Sequence, residues 1–578
     1  MREILSRLLA RPLILVELLL ASLVAGVLAL ASPLYVIQVL NRYVAYGVDT
    51  TLATLTMGVV IAIGLEFCFR QIRLVLVGRV NRKPDAQLAN ATFETMTGAR
   101  VAALEAVPEG ARMEAATAAD RVQAAASPQN VTTLLDVPFA LLFLGALYLL
   151  SPKLALIAAT FAFVAFCLGA LALVRLRAPT ARMQAAASGR GSLLAAAIGG
   201  AETVRAFDFA GQVRQRWRDA VAAMAVQQRR IVGHHALVQS LLASTQVLLG
   251  AAIIAVGATE VVAGRLDVGA LIGTNILAAR ALATIQRFGM MTLPLAQAGQ
   301  ARRLMREFST LAQEPVDGAG ITALKGRIEF RDVAFLHPGA RAPLFESLTL
   351  TLEPGQVLAV TGSNGAGKTT LARLIMGLIE PVRGHILIDG VDLRQLAPTW
   401  WRRQVAYLPQ EPRFLPGTIA ENLRAYVPEL DDAVLAQLAL KSGLKNFIDE
   451  SPDGFQTTLT AGGRNLSLGI RRRLALARAM AGEGQVLIVD EPTEGMDREG
   501  AALVYQAMNA ATERGATIIA CSHDPNILKG AEVIVDLNVK PRPNVTRTKR
   551  VAPVAAQGVA DPGGATHLKP VEDAGGSA

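Results

Sequence analysis

The sequence predicts a helical membrane domain of six spans fused to an α/β domain with a largely parallel sheet. Three observations carry this. The chain of 578 residues is 52% hydrophobic, and its first half gathers apolar residues into runs long enough to cross a bilayer, which is too apolar for a soluble enzyme. Its second half alternates short aliphatic strands with helix-forming stretches, the pattern of a parallel sheet covered by helices. At residues 357–370 an aliphatic run enters a glycine-rich loop that opens directly into a helix-like stretch, the strand, loop, helix order of a phosphate-binding site.

Taken in order, residues 13–31 are apolar except for Glu17 and Ser22, long enough at about 1.5 Å per residue to cross roughly 30 Å of hydrocarbon. Arg2, Arg7 and Arg11 precede this run with no small-residue cleavage site behind it, so it reads as an anchor and not as a removable signal peptide. A second span covers 52–69. Residues 73–133 have helical composition but too many charges for lipid. Spans three and four, 137–150 and 154–174, are separated only by Ser151-Pro152-Lys153. A second polar segment, 175–236, carries ten arginines. Spans five and six cover 238–256 and 268–293, the sixth interrupted by Asn275, Arg280 and Arg287. The long arginine-bearing connections fall on one side of this array and the short links on the other, which puts the long ones in the cytosol. Ionisable groups in lipid are costly and usually face the bundle interior. Glu17, Glu66, Asn275 and Arg280 are therefore expected to line a pathway, the alternative being that Glu66 and Arg70, one turn apart, simply pair with each other.

The domain limits that follow are 1–310 for the membrane domain, 311–324 for a linker, 325–538 for the α/β domain and 539–578 for a disordered tail of Lys, Arg, Pro, Gly and Ala. The formal net charge of +10 belongs to membrane topology, because no aromatic and basic stacking surface for nucleic acid accompanies it. Cys68, Cys167 and Cys521 follow no metal or disulfide spacing and read as small buried residues or residues in lipid.

The chemistry gathers at the carboxyl ends of the α/β strands, where ligands bind in such sheets. Gly362, Ser363, Asn364, Gly365, Ala366, Gly367, Lys368, Thr369 and Thr370 complete the phosphate-loop pattern. The glycines let backbone N–H groups turn inward around phosphate oxygens, Lys368 supplies charge for the β- and γ-phosphates, and Thr369 a hydroxyl for Mg²⁺. The run Val486 to Val489 ends in Asp490 and Glu491; the first suits a metal-holding carboxylate, the second can orient or deprotonate an attacking water. A second strand ends in Ser522-His523, placing the histidine for a γ-phosphate. An acid pair or a histidine after a strand is ordinarily structural, and the phosphate loop upstream reverses those odds.

Over 325–537 these residues resemble the ABC ATPases. Gln410, in Tyr407-Leu408-Pro409-Gln410, matches the family's Q-loop and implies a contact to Mg²⁺. Asp490-Glu491-Pro492-Thr493 matches the Walker B end, Asp497 the D-loop aspartate and His523 the switch histidine. The resemblance implies ATP and Mg²⁺ as ligands, and two such domains pairing head to tail, each phosphate loop closed by the other chain's signature segment. That segment, usually L-S-G-G-Q, reads Leu466-Ser467-Leu468-Gly469-Ile470 here. Ser467 and Gly469 remain to meet the partner's nucleotide, while Leu468 threatens close approach. His337 stands where an aromatic usually stacks on adenine, and Glu494-Gly495-Met496-Asp497 departs from the usual S-A-L-D.

Residues 32–42, Asp136-Val137-Pro138-Phe139 and 264–272 look like the type I secretion ATPases. That resemblance implies an inner-membrane exporter of unfolded protein working as a homodimer with a periplasmic adaptor and an outer-membrane channel. The coupling helices between the domains are expected near 95–99 and 204–210. Two other readings compete: an exporter of lipid or small molecules, and a weakly hydrolysing half that pairs with a different, competent half.

Overall fold

Among the described residues six helices are long and apolar enough to cross a membrane, within Pro12–Tyr43, Asp49–Gly98, Pro128–Leu150, Pro152–Gly199, Ala210–Val262 and Val268–Ser309. The structure is a computed structural model and describes residues 2–44, 47 and 49–548. The chain divides into two units, Met1–Gln313 and Glu314–Ala578.

In the first unit the spanning helices are α1 (Pro12–Leu28), α2 (Asp49–Gly98), α3 (Ala140–Leu150), α4 (Pro152–Gly199), α5 (Ala210–Val262) and α6 (Val268–Met290). Three of them run to 50, 48 and 53 residues, about twice what a bilayer requires, so they continue beyond the membrane as the charged stretches demand. The interior is alanine-rich: Ala158, Ala162 and Ala165 of α4 pack with Leu249 and Ile253 of α5 and Ala278 and Ala281 of α6. Small residues let helix backbones approach where burial in lipid gives no hydrophobic gain. One such approach is Gly169 on Gly289, where a Cβ on the first would lie 3.1 Å from the second's Cα. Large apolar side chains point outward, Leu149 at 86% exposure and Val262 at 89%, a surface that water would not support and lipid does.

The short helices at the ends of the long ones depart from expectation. Residues 95–98 are the last turn of α2, and the separate short helix is Val101–Glu105, because the extended backbone of Arg100, which donates to the Ala312 carbonyl, ends α2 first. The second short helix, Ala201–Ala206, overlaps the expected 204–210. Cys521 is buried, whereas Cys68 and Cys167 are exposed on spanning helices.

The second unit holds two larger sheets. Strands β1 (Ile328–Phe335), β2 (Phe345–Leu352), β3 (Val357–Thr361), β4 (Arg383–Ile388), β5 (Val391–Asp392), β6 (Val405–Leu408), β7 (Gly417–Thr418), β8 (Thr458–Leu459), β9 (Val486–Asp490), β10 (Thr517–Cys521), β11 (Val533–Asp536) and β12 (Asn544–Arg547) follow in order. One sheet runs β2-β1-β4-β5 and is antiparallel. The other runs β12-β11-β3-β10-β9-β6, parallel except for β12. Its central strands are buried along their whole length, which is why they read as continuous aliphatic runs. Register aligns their ends: Cys521 lies opposite both Val360 and Asp490, so the residues just beyond all three emerge on one edge.

The tail departs from expectation as well. Residues 544–547 are not disordered but form β12, paired with β11 through Val535 opposite Val545. An edge strand needs only one partner, so this largely polar stretch holds its place by backbone bonds, with Val545 alone of its four residues packed against the core. The rest of the tail expectation, 549–578, lies outside the described residues.

Candidate functional site

Strand β3 ends at Thr361, and the loop that follows turns through three glycines with positive φ, Gly362, Gly365 and Gly367. A Cβ at Gly367, where φ is 115°, would also strike the Leu344 side chain at 2.7 Å. Helix α7 (Lys368–Ile375) begins immediately after, so Lys368, Thr369 and Thr370 sit in its first turn with free backbone N–H groups and the positive end of the dipole. The Lys368 ammonium curls back into the loop, donating to the Gly362 carbonyl at 2.6 Å.

Lys368 also pairs with Glu491, Nζ to Oε1 at 3.0 Å, both side chains buried. The other carboxylate oxygen of Glu491 faces His523 Nδ1 at 3.0 Å, and the imidazole is 71% exposed at the mouth of the site. Three sequence-predicted residues from three strand ends thus form one chain of contacts. Glu491 takes φ 44°, a conformation that costs a non-glycine residue about 1–3 kcal/mol. Its N–H is held by the Cys521 carbonyl at 2.8 Å, which fixes the turn that aims the carboxylate at Lys368.

Asp490, at the end of β9, is 1% exposed. Neither of its carboxylate oxygens has a hydrogen-bond partner of good geometry. Burial pushes its carboxyl above the usual range, the Thr369 hydroxyl and Lys368 opposing and Glu491 adding to the push. A buried, unsatisfied carboxylate beside a threonine hydroxyl is the donor set of a hard divalent cation, so the residues fit Mg²⁺. No group of three His, Cys, Asp or Glu side chains among the described residues could hold a metal unaided, and such a cation would take its remaining ligands from phosphate and water.

The other predicted residues lie elsewhere in the unit. Gln410 donates to Glu494 Oε2 at 2.9 Å, a partner that sequence reading had noted only as a departure. His337 is exposed just beyond β1 and meets Phe335 edge to face, centroids 5.0 Å apart. Ser467 caps helix α8 (Leu468–Met480), accepting from the Ile470 N–H at 3.3 Å, with Gly469 in the first turn. Asp497 caps helix α9 (Arg498–Glu513), accepting from Gly500, and binds Arg473 of α8. Among the described residues no hydrogen bond or ion pair joins Ser467, Gly469 or Asp497 to the Lys368–Glu491–His523 cluster. Arg473 therefore ties helix α8 to the Asp497 cap of α9, donating also to the Gly443 carbonyl at 2.8 Å.

Two contacts at the phosphate loop escaped sequence reading altogether. The Ser363 N–H donates to Asn538 Oδ1 at 2.8 Å, and Lys540 Nζ donates to the Ala366 carbonyl at 2.7 Å. The signal was a polar and basic stretch following β11, which composition alone assigns to disorder.

Comparison with known proteins gives the following. Residues 345–494 match the ABC transporter family and residues 15–284 the ABC transporter transmembrane region. The cyclolysin secretion/processing ATP-binding protein CyaB of Bordetella pertussis (strain Tohama I) is 28% identical over 522 residues, 90% of this chain and 73% of that protein. The toxin RTX-I translocation ATP-binding protein of Actinobacillus pleuropneumoniae is 25% identical over 525 residues, covering 90% and 74%. Among solved structures, a bacterial Atm1-family ABC exporter with ATP bound superposes with a TM-score of 0.79 at 21% identity, over 91% of this chain and 93% of that one.

Proposed function

The chain belongs to the ABC transporters, carrying their transmembrane region and their ATPase domain on one polypeptide, and from that premise we propose that it exports unfolded protein as the ATPase and permease of a type I secretion system. As an ABC exporter it is a multi-pass membrane protein that couples ATP hydrolysis to transport. The finer reading, export of protein across the inner membrane, is supported by the secretion and translocation proteins to which the chain is similar along 90% of its length. By the same likeness it works as a homodimer with a periplasmic adaptor and an outer-membrane channel, its ATPase domain in the cytosol.

The observation that carries the hydrolytic part is the Lys368–Glu491–His523 chain of contacts at the phosphate loop. The loop's N–H groups and Lys368 bind the β- and γ-phosphates. These compete with Glu491 for the ammonium, so their binding leaves the carboxylate to accept a proton from the attacking water. His523 meets the γ-phosphate from the open side and orients Glu491 through its ring. Asp490, Thr369 and Gln410 would hold Mg²⁺, which supplies charge neutralisation at the phosphates. His337 stacks on the base, and Ser467, Gly469 and Asp497 close the nucleotide of the opposite chain.

A second reading has one observation in its favour. Leu468 stands 46% exposed at the first position of the signature helix, where bulk obstructs the partner's nucleotide, as in a weakly hydrolysing half of a mixed pair. Purification separates the two: robust ATPase activity of the pure chain removes the weak-half reading, and a stoichiometric second half-transporter removes the homodimer. For the cargo, deletion of the gene should abolish secretion of a protein. Intact secretion with altered lipid content or drug resistance would assign the chain to lipid or small-molecule export.

A further inference from the structure

Within the membrane unit, α1, α2, α6 and the helix Pro128–Asp136 with its continuation into α3 surround a chamber of about 330 Å³. Two carboxylates and four guanidinium groups line it. Glu66 is paired with Arg70. Arg73 donates to Asp136 at 2.6 Å and to the Thr132 carbonyl at 3.3 Å. That leaves Arg280 and Arg287, which have no hydrogen-bond or ion-pair partner among the described residues. Seven apart in sequence, they lie on one face of α6 with Thr284 between them, and all three line the chamber.

Two further groups point to a ligand. Ser22 is 1% exposed and lines the chamber, yet its hydroxyl has no partner. Arg73 is 5% exposed and its Nε is likewise unsatisfied. Buried polar atoms in native proteins are rarely left this way. Counting along each helix at about 1.5 Å per residue places Glu66, Asp136 and Arg287 in the half of the membrane near the long polar extensions. Arg280 is half-buried and Arg287 exposed within the unit; neither guanidinium has a bonded counter-ion, and a positive charge in lipid is expensive unless an anion meets it.

We propose that this chamber receives carboxylate side chains from an acidic stretch of the exported polypeptide, with Arg280 and Arg287 as the groups that bind them. This rests on the protein-export reading above. A guanidinium presents a planar fork that matches a carboxylate with two parallel hydrogen bonds. The chamber admits a short length of extended chain and no folded domain. Gln129, Thr132, Thr133 and Thr284 on its walls offer hydrogen bonds to a peptide backbone. A lipid phosphate would satisfy the same arginines, but its acyl chains would have to pass those polar walls.

The test uses the full chain in detergent micelles and two labelled peptides of equal length, one an Asp-Ala repeat and one a Lys-Ala repeat, read by fluorescence anisotropy. The acidic peptide binds and the basic one does not. R280Q/R287Q weakens the acidic peptide by about tenfold or more, the loss expected when two guanidinium forks that bind carboxylates are removed, while R280K/R287K retains part of the affinity. Melting temperature and ATP affinity report whether each variant is folded. Should the double glutamine variant misfold, R280Q and R287Q singly carry the test, and each must weaken binding. Equal binding of both peptides, no binding of the acidic one, or full binding by a folded glutamine variant overturns the proposal. So does displacement of the peptide by phosphatidylglycerol that stabilises the parent and not the variant, which would give the chamber to lipid. A strain that loses secretion while its exporter ignores the acidic peptide would sink this inference alone. Intact secretion in the deletion strain would sink the export reading and leave the measured anion site standing.

Discussion

Glu491 is where conformational strain and charge meet. Its left-handed backbone aims the carboxylate between Lys368 and His523, so that on the proposed mechanism one side chain is both structural counter-ion and hydrolytic base. The two duties separate by substitution. Glu491→Gln keeps the shape and a hydrogen bond to Lys368 but cannot take a proton, and steady-state turnover should fall by about 100-fold or more with nucleotide affinity retained. Glu491→Ala also strands a buried ammonium, a loss of up to about 3–5 kcal/mol, and should lower the melting temperature where the glutamine variant does not. Equal melting of the two would remove the structural duty. Leu468 poses the opposite case, bulk where the resembling family has glycine. Leu468→Gly should raise the turnover of the purified chain severalfold if its side chain obstructs the partner's nucleotide; unchanged or reduced turnover would show that the obstruction is not there. Of these residues the loop and the strand-end acids are legible in sequence because each motif is contiguous. Glu494 on Gln410, and Asn538 and Lys540 on the loop, are not, since the pairs lie far apart in sequence and meet only once the sheet order is set.

At the scale of elements, the turn after β10 shows how a short helix fixes His523, which the proposed mechanism sets at the γ-phosphate. Asp524 caps the helix Pro525–Lys529 by accepting from the Asn526 N–H at 2.9 Å, and its other oxygen takes the Thr493 hydroxyl at 3.0 Å and the Tyr505 hydroxyl. The cap ties His523, one residue earlier, to the segment after Glu491. Burial would raise the Asp524 carboxyl, but the bonds from Tyr505, Asn526 and Thr493 outweigh it and hold the group below its usual range. A depressed carboxyl contributes stability above its unfolded value near 3.9 and loses it as pH falls through the folded one. Asp524→Asn keeps a capping oxygen but loses the charge that the Tyr505 and Thr493 hydroxyls bond, so it should melt below the parent by a constant margin from pH 5 to 8, about 1 kcal/mol, and the margin should close only in acid below about pH 4. A margin that grows on acidification would contradict that sign. Element existence was legible here and element ends were less so. Long apolar runs announce the six spans, whereas the change from α2 to the short helix Val101–Glu105 depends on a backbone bond from Arg100 to Ala312, and β12 on an edge that composition cannot reveal. Likewise Glu66 and Arg280 come together in one chamber, while Glu17 is exposed on α1 and Asn275 lies outside that lining, because sequence fixes a residue's depth in a span more readily than its facing.

At the scale of the whole molecule the question is what completes the nucleotide site. Lys368, Glu491 and His523 gather on one sheet edge, whereas Ser467, Gly469 and Asp497 sit at the starts of α8 and α9 with no bond to that cluster. Helix α8 nonetheless presents what a phosphate would seek, a capped N-terminus with free N–H groups and a positive dipole end. On the proposed homodimer, the phosphate that meets this helix start comes from the other chain. The head-to-tail arrangement can be tested by mixing defects. Let one chain carry Lys368→Ala and a second, differently tagged chain carry Ser467→Ala, and let the mixed dimer be isolated by both tags. If each loop is closed by the opposite signature, one site of the mixed dimer combines both lesions and the other combines neither, so ATPase activity survives at one of two sites although each parent homodimer is impaired at both. If each chain closes its own site, every site in the mixed dimer carries a lesion and the activity does not exceed that of the parents. Survival in the mixed dimer, with loss in both parents, would make the pair of chains the unit of hydrolysis.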